Sequence, residues 1–314
     1  MIGALKVVAG RGHPTLANEI CEILGVEPSK VSLYNFSDGE NYVQIDENVR
    51  GADVFIIQPT STPVNDNLME LLIMLDAFKR SSANRVTAVL PYYGYARQDR
   101  KDKPRVPITS KLVADLLSAA GASRILTMDL HAPQIQGFFN IPVDHLFAAP
   151  VIVKHLKSLN LKELTIVSPD AGGVERARAY AKRLGAELAI IDKRRVAKNQ
   201  TEVMHIIGDV EDRNVFIVDD IIDTGGTLIH SVEALIARGA KSVSAACTHA
   251  VLSGPAISRI NGSDLVQVVV TNTMPTAEKV AECDRLEALS VGELLATAIK
   301  RIHDEDSVSS LFTF

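Results

Sequence analysis

Val215-Phe216-Ile217-Val218-Asp219-Asp220-Ile221-Ile222-Asp223-Thr224-Gly225-Gly226-Thr227 decides the fold of this 314-residue chain. Four apolar, mostly β-branched residues run into two acids. That pattern predicts a buried parallel strand, Val215–Val218, ending at a site. After Thr227, apolar residues recur at Leu228, Val232, Leu235 and Ile236, the spacing of a helix face. Strand, polar loop and helix in that order put the loop at a strand's carboxyl end, where open α/β sheets bind ligands. Gly225 and Gly226 let backbone N–H groups approach an anion, and the helix N-terminus adds positive potential. Thr224 and Thr227 add hydroxyl donors. This set suits a phosphate monoester, while Asp219 and Asp220 can accept hydrogen bonds from a vicinal diol. A phosphorylated sugar is the ligand these residues predict. The plainer alternative is an Asp-capped, glycine-rich turn.

Length suits two domains rather than one core. Hydrophobic residues at 46% and charged residues at 23% are ordinary for a soluble globular chain. No apolar run reaches the ~18 residues of a membrane span, so no membrane partner is expected. Met1 to Gly10 reads as a first strand without a signal peptide's basic start and long apolar core. Cys21, Cys247 and Cys283 make neither a disulfide framework nor metal spacing, which points to a reduced, cytoplasmic protein. A net charge of −5 argues against a nucleic-acid surface. A chain of that charge that binds polyphosphate must gather its cations locally, and two stretches do so: Arg97 to Arg105 and Lys193 to Lys198.

Taken in order, strands are predicted at Leu5–Ala9, Val31–Phe36, Asp53–Gln58, Val86–Leu90, Arg124–Met128, Leu164–Val167, Glu187–Asp192, Val243–Cys247 and Val266–Val270. Helices are predicted at Pro14–Leu24, from a cap at Asn65 or Asp66 through Phe78, and at Ile108–Ala119, Val151–Leu159 and Val291–Ile302. Asp38-Gly39 marks a hairpin turn. Gly10 and Gly12 form either an anion cradle or, more simply, a strand–helix turn. The long loop Pro91–Arg105 carries three tyrosines among its cations and reads as a solvated loop or an ATP site. His131 ends a strand, where many histidines are only structural. Ser168-Pro169-Asp170-Ala171-Gly172-Gly173 is a second strand–acid–Gly-Gly–helix unit, otherwise a tight turn. The basic segment Lys193–Thr201 is expected to be exposed and mobile. Alternation of strand and helix through both halves predicts α/β architecture, two domains with mainly parallel sheets flanked by helices. The boundary is placed at 148: residues 1–147, with 293–314 packing back, and residues 148–292.

The Asp219–Thr227 segment resembles the phosphoribosyl-diphosphate (PRPP) binding motif of the type I phosphoribosyltransferase fold. That motif alone leaves open the nucleobase phosphoribosyltransferases, which consume PRPP, and the PRPP synthetases, which make it. Phe36-Ser37-Asp38-Gly39-Glu40, Asn65–Leu71, Tyr95-Ala96-Arg97-Gln98-Asp99, Met128-Asp129-Leu130-His131-Ala132, Ser168-Pro169-Asp170 and Lys193-Arg194-Arg195 decide between them. With the Ser-Val-Ser tail, and in this order over almost the whole chain, they look like the ATP-using, phosphate-regulated PRPP synthetase (ribose-phosphate diphosphokinase) family. The resemblance implies conversion of ATP and ribose 5-phosphate to AMP and PRPP, for nucleotide, histidine and tryptophan biosynthesis. It implies an N-terminal ATP-binding domain and a C-terminal ribose-5-phosphate-binding domain.

The same resemblance assigns roles. Asp219, Asp220, Asp223, Thr224, Gly225, Gly226 and Thr227 hold ribose 5-phosphate, helped by Arg195. Phe36, Asp38, Gly39, Glu40, Arg97 and Gln98 bind ATP, and Asp102 reaches toward a neighbour's ATP site. His131 and Asp170 bind Mg2+, although magnesium prefers oxygen and His131 is an unusual partner for it. Lys193 is the catalytic lysine, with Arg195 beside it. A propeller-like homohexamer is implied, with phosphate as activator and ADP as inhibitor at Arg50, Ser307, Ser309, Ser310 and Phe312; a tail docked only for packing is the alternative. Val196, where many relatives carry proline, and Lys103-Pro104-Arg105 depart from the usual pattern, which bears on loop dynamics rather than on any proposed catalytic group. A non-catalytic regulatory subunit, the remaining rival, tends to lose such groups; here Lys193, Arg195, His131 and Asp170 are all present.

Overall fold

A computed structural model describes residues 3–194 and 203–312. Its contacts divide the chain into two compact units. The first runs to Phe147 and takes back Thr273–Pro275 and the segment from Val291. It contains β1 (Leu5–Ala9), α1 (Pro14–Leu24), β2 (Val31–Asn35), β3 (Asn41–Ile45), β4 (Asp53–Ile57), α2 (Val64–Arg80), β5 (Arg85–Leu90), α3 (Thr109–Ala120), β6 (Arg124–Met128) and β7 (Val143–Leu146). Five parallel strands lie in the order β1-β4-β5-β6-β7, and β2 and β3 form a separate antiparallel hairpin.

Every residue of β4 is buried, as expected of a strand covered on both faces. Val8, Val54, Ile56, Ala88, Leu90 and Ile125 pack with Leu71, Met74, Leu75 and Phe78 of α2 and Val113 and Leu117 of α3. The alternate residues Val7, Phe55, Ile57, Val89 and Leu126 are equally buried on the other face. Helix α2 begins at Val64 behind Pro63, so Asn65 and Asp66 fall inside its first turn and neither is its cap. Proline's fixed φ suits a helix start, and Asp66 there complements the dipole.

The second unit comprises Ala148–Asn272 and Thr276–Ser290. It contains α4 (Ala149–Ser158), β8 (Leu164–Ser168), α5 (Val174–Leu184), β9 (Glu187–Arg194), β10 (Val203–Ile207), β11 (Asn214–Ile222), α6 (Gly226–Ala237), β12 (Ser242–Ala250), α7 (Ala256–Asn261), β13 (Leu265–Thr271), α8 (Ala277–Ala281) and β14 (Leu286–Leu289). The sheet order is β10-β9-β8-β11-β12-β13-β14, parallel except for the antiparallel pair β9-β10. Val215 and Ile217 pack with Leu228, Val232 and Leu235 of α6, while α5 lies against β8, β9 and β11 and beside α4. The final helix, α9 (Gly292–His303), belongs to the first unit and packs on α1. A Cβ on Gly292 would stand 2.4 Å from a carboxylate oxygen of Glu19, so glycine permits that approach.

Both units are α/β, with parallel sheets flanked by helices. The central strand departs from its sequence reading: β11 does not stop at Val218 but continues through Asp219 and Asp220 to Ile222. Its acids are therefore strand residues, paired with β12 at Asp219↔Cys247. Likewise β9 runs past Asp192, and the backbones of Lys193 and Arg194 pair with Met204 and Val203. The expected exposed loop thus loses its first two residues to a strand, and the rest of it, 195–201, lies outside the described residues.

Candidate active site

Strand β11 delivers its acids to a tight loop. Only Asp223, Thr224 and Gly225 separate it from α6. Gly225 sits at φ 74°, a left-handed conformation that favours glycine. No side chain caps α6, so its first N–H groups face the loop as an anion site. The loop is braced from the β12–α7 segment. Leu252 N–H donates to Ile222 O at 2.9 Å, Ser253 N–H to Asp223 O at 3.1 Å, and the Ser253 hydroxyl to the Asp223 carboxylate. Arg259 Nη1 donates to Thr224 O at 2.8 Å. Lys279 Nζ donates to Val251 O, and burial lowers its pKa against the opposing pull of Asp223 and Glu282.

Asp219 and Asp220 are held by Arg176 of α5, whose Nη1 lies 3.3 Å from Asp219 Oδ1 and 3.2 Å from Asp220 Oδ1. Asp220 N–H donates to Asp219 Oδ1 at 2.8 Å. Burial, and then the adjacent Asp220 charge, push the Asp219 carboxyl up to about 8, with Arg176 opposing. Two neighbouring carboxylates, Asp220 buried and Asp219 half-buried, do not both ionise freely, so they titrate as a pair. Burial, reinforced by Asp219, drives the facing Cys247 thiol far above its ordinary range and leaves it inert.

Asp170 occupies the exposed turn before α5. Its Oδ1 accepts from Gly173 N–H at 2.9 Å, and the Ser168 hydroxyl donates to Asp170 O at 2.7 Å. One carboxylate oxygen thus serves the start of the helix that carries Arg176.

In the first unit, Gly10 and Gly12 prove to be a packing device rather than an anion cradle. A Cβ at either would fall within 2.7 Å of Gln58 Oε1. Gln58 accepts from Gly12 N–H at 2.9 Å and donates to Glu70 at 3.0 Å and Asn67 O at 3.1 Å. The buried Glu70 also accepts from Arg11 N–H and Nε, and the Arg11 guanidinium spans to Asn35 and Asn41 at the mouth of the β2–β3 hairpin. That hairpin turns where Asp38-Gly39 predicts it. Gly39 has φ 96°, its N–H donates to Phe36 O, Phe36 N–H donates to Glu40 O, and Asp38 Oδ1 accepts from Glu40 N–H. Phe36 is 47% exposed and packs edge-on against Tyr34 and Tyr42, leaving an aromatic face for a base.

Asn41 Nδ2 donates to Asp66 O at 3.3 Å, and the Tyr95 hydroxyl to Asn65. The first turn of α2 thereby ties the hairpin to the loop holding Arg97 and Gln98. Both residues are exposed, as is Asp102; Gln98 accepts from the Thr109 hydroxyl at 2.6 Å. His131 is exposed after Asp129, whose φ is 39°. His145 Nε2 accepts from Leu130 N–H at 2.8 Å and steadies that turn.

His131 belongs to the first unit and Asp170 to the second. Among the described residues, no three His, Cys, Asp or Glu side chains gather to hold a metal ion. The exposed Asp170 carboxylate is an oxygen donor of the kind Mg2+ prefers, and the exposed His131 imidazole is a nitrogen donor that it rarely takes. Lys193 is placed only through its β9 backbone, and Arg195 lies outside the described residues. In the tail, Arg301 Nη1 donates to Ser307 O at 3.2 Å and to the Ser310 hydroxyl, and the Ser307 hydroxyl donates to Ser309 Oγ at 3.1 Å. Phe312 N–H donates to Ser309 O. Arg50 lies exposed on the turn before β4.

The sequence reading missed Arg176, Ser253, Arg259 and Arg11, and gave Glu70 no role of its own within the Asn65–Leu71 stretch. Each reaches its target from a distant part of the chain.

Residues 5–121 match the family model for the N-terminal domain of ribose phosphate pyrophosphokinase, and residues 193–313 that for the phosphoribosyl synthetase-associated domain. The chain is 55% identical to a ribose-phosphate pyrophosphokinase of Clostridium tetani, covering 98% of this chain and 97% of that protein. It is 53% identical to one of Bacillus subtilis over the same shares. Phosphoribosylpyrophosphate synthetase from Mycobacterium smegmatis superposes with a TM-score of 0.91 at 43% identity, covering 96% of this chain and 99% of that structure. With full-length relatives 53% and 55% identical and family models matched in both halves of the chain, the chain belongs to the ribose-phosphate pyrophosphokinase (PRPP synthetase) family.

Proposed function

We propose that this chain transfers the β,γ-diphosphoryl group of ATP to ribose 5-phosphate, giving PRPP and AMP. The observation that carries the reading is the Asp219–Asp220 pair on β11, set beside the glycine loop and uncapped N-terminus of α6. The loop takes the 5-phosphate and the carboxylates take the ring hydroxyls. The anomeric hydroxyl oxygen attacks the β-phosphorus in line and loses its proton, and the bond to the α-phosphate oxygen breaks with AMP leaving. Such transfer rests on positioning and charge stabilisation. Phe36 and the hairpin Asp38-Gly39-Glu40 hold the base and ribose of ATP, and Arg97 and Gln98 its phosphates. Lys193 and Arg195 supply positive charge to the transferring group. His131 and Asp170 hold a divalent cation, Mg2+, which supplies charge neutralisation on the polyphosphate when bound.

The serine cluster around Arg301 supports a regulatory anion site that takes phosphate as activator and ADP as inhibitor, with Arg50 contributed within a homohexamer. A cytoplasmic location accords with three buried, unpaired cysteines. Among the described residues, no helix is long and apolar enough to cross a membrane.

The test is to incubate purified protein with ATP, Mg2+ and ribose 5-phosphate, with and without phosphate, and to quantify AMP and PRPP. Equimolar products support the reading, and stimulation by phosphate supports the tail site. Absence of product under both conditions refutes catalysis by this chain alone.

A further inference from the structure

A cation in the first turn of a helix opposes the helix dipole. Arg176 stands there, third residue of α5, with its side chain only 16% exposed. The position makes sense through what the guanidinium touches: one nitrogen within 3.3 Å of both Asp219 and Asp220. Nothing in the linear motif requires this arginine. A local rule broken at the edge of a site points to a functional demand.

We propose that Arg176 is a positioning residue for the sugar. It holds the two carboxylates together in one orientation and opposes their protonation, so that they accept the vicinal hydroxyls of ribose 5-phosphate.

This rests on the assignment of the sugar to Asp219 and Asp220. A carboxylate is acceptor-only, and a proton shared by the pair removes acceptor capacity that a diol needs. Asp220 and Asp223 on the same stretch add negative charge, and Cys247 across on β12 stays neutral. His249 lies two residues further along β12, opposite Ile221. Lys279 contacts the β12–α7 segment rather than the pair. Arginine suits the task because its charge is permanent and one of its nitrogens lies against both carboxylates.

The experiment compares wild type, Arg176→Gln, Arg176→Lys and Asp219→Asn at saturating ATP, as kcat and KM for ribose 5-phosphate from pH 6 to 10, with thermal melts as the folding control. For Arg176→Gln, KM at pH 7 is expected to rise at least ~10-fold with kcat within ~3-fold, a loss of ground-state binding. The acid limb of its kcat/KM profile should move up by about one pH unit, so the defect narrows at alkaline pH. Titration of the substrate's own phosphate is common to all variants and cancels. Arg176→Lys keeps the charge, so its limb should stay in place and its KM should recover to within ~3-fold of wild type.

A KM defect in Arg176→Gln that is equal at every pH and unrelieved by lysine overturns the proposal in favour of simple packing. Unchanged kinetics in Arg176→Gln beside a raised KM in Asp219→Asn overturns it while leaving the sugar site standing. Unchanged KM in both overturns the sugar assignment itself. If Arg176→Gln does not fold, Arg176→Lys decides: an acid limb in the wild-type place with KM within ~3-fold supports the role, and a KM raised ~10-fold or more equally at every pH overturns it.

Discussion

At the scale of single residues, Asp219 carries opposed demands from stability and binding. Its carboxyl is raised from 3.8 to about 8 in the fold. Between these values the native state holds a proton that the unfolded chain has lost. This contribution to stability is therefore whole below about pH 4 and is lost as pH rises toward 8. Asp219→Asn should flatten the fall of melting temperature between pH 5 and 8, measured by calorimetry; an unchanged slope would assign it to other groups. The same substitution should chiefly raise KM for ribose 5-phosphate. Lys193→Ala should lower kcat by at least ~10²-fold with modest change in KM, the mark of a contact made in the transition state. Steady-state kinetics check it, and a mainly KM effect contradicts the role. The acids, threonines and glycines of this site were legible because they form one contiguous run at a strand end. Arg176, Ser253 and Arg259 were not, because each acts across 30 or more residues and looks alone like any surface polar residue.

At the scale of elements, the β2–β3 hairpin depends on a helix that follows it. Buried Glu70 of α2 orders Arg11, and Arg11 grips Asn35 and Asn41. Glu70→Ala leaves the Arg11 N–H and the Gln58 amide without that acceptor, a cost of about 1–3 kcal/mol. It should also raise KM for ATP more than it changes kcat. Denaturant melts and ATP titration measure the two effects, and a stability loss with normal KM would separate the hairpin from ATP. The long buried strands and helices of both units were readable from apolar periodicity. Strands β7, β10 and β14 were not: VDHL, VMHII and LEAL are too short, and too mixed in polarity, to show a period. Strand β11 was read too short because consecutive acids look like a loop. Arg176, a tertiary partner that no window around the acids contains, lies against both.

At the scale of the whole molecule, α9 is bound to the first unit by charge as well as by packing. Arg85 donates from Nε at 2.9 Å and Nη2 at 2.5 Å to Asp53, which is 0% exposed, and reaches Ile302 O at 3.3 Å. His303 Nδ1 lies 2.8 Å from the same carboxylate. Arg85→Ala strips a buried charge of a partner and should cost about 3–5 kcal/mol. Its melt should also show earlier proteolytic release of α9; a loss below about 1 kcal/mol would mean His303 alone suffices. The apolar spacing of α9 marks a helix with one buried face, but its docking partners were not legible, since Asp53 in a hydrophobic strand announces no pairing. This arrangement also orders events during synthesis. Helix α9 emerges from the ribosome only after all of the second unit has been made, so α1 and the Asp53–Arg85 pair wait through that interval without it. Released chains ending at residue 290 should expose α1 and that pair to protease or to a holding chaperone, and released chains extending past residue 304 should not.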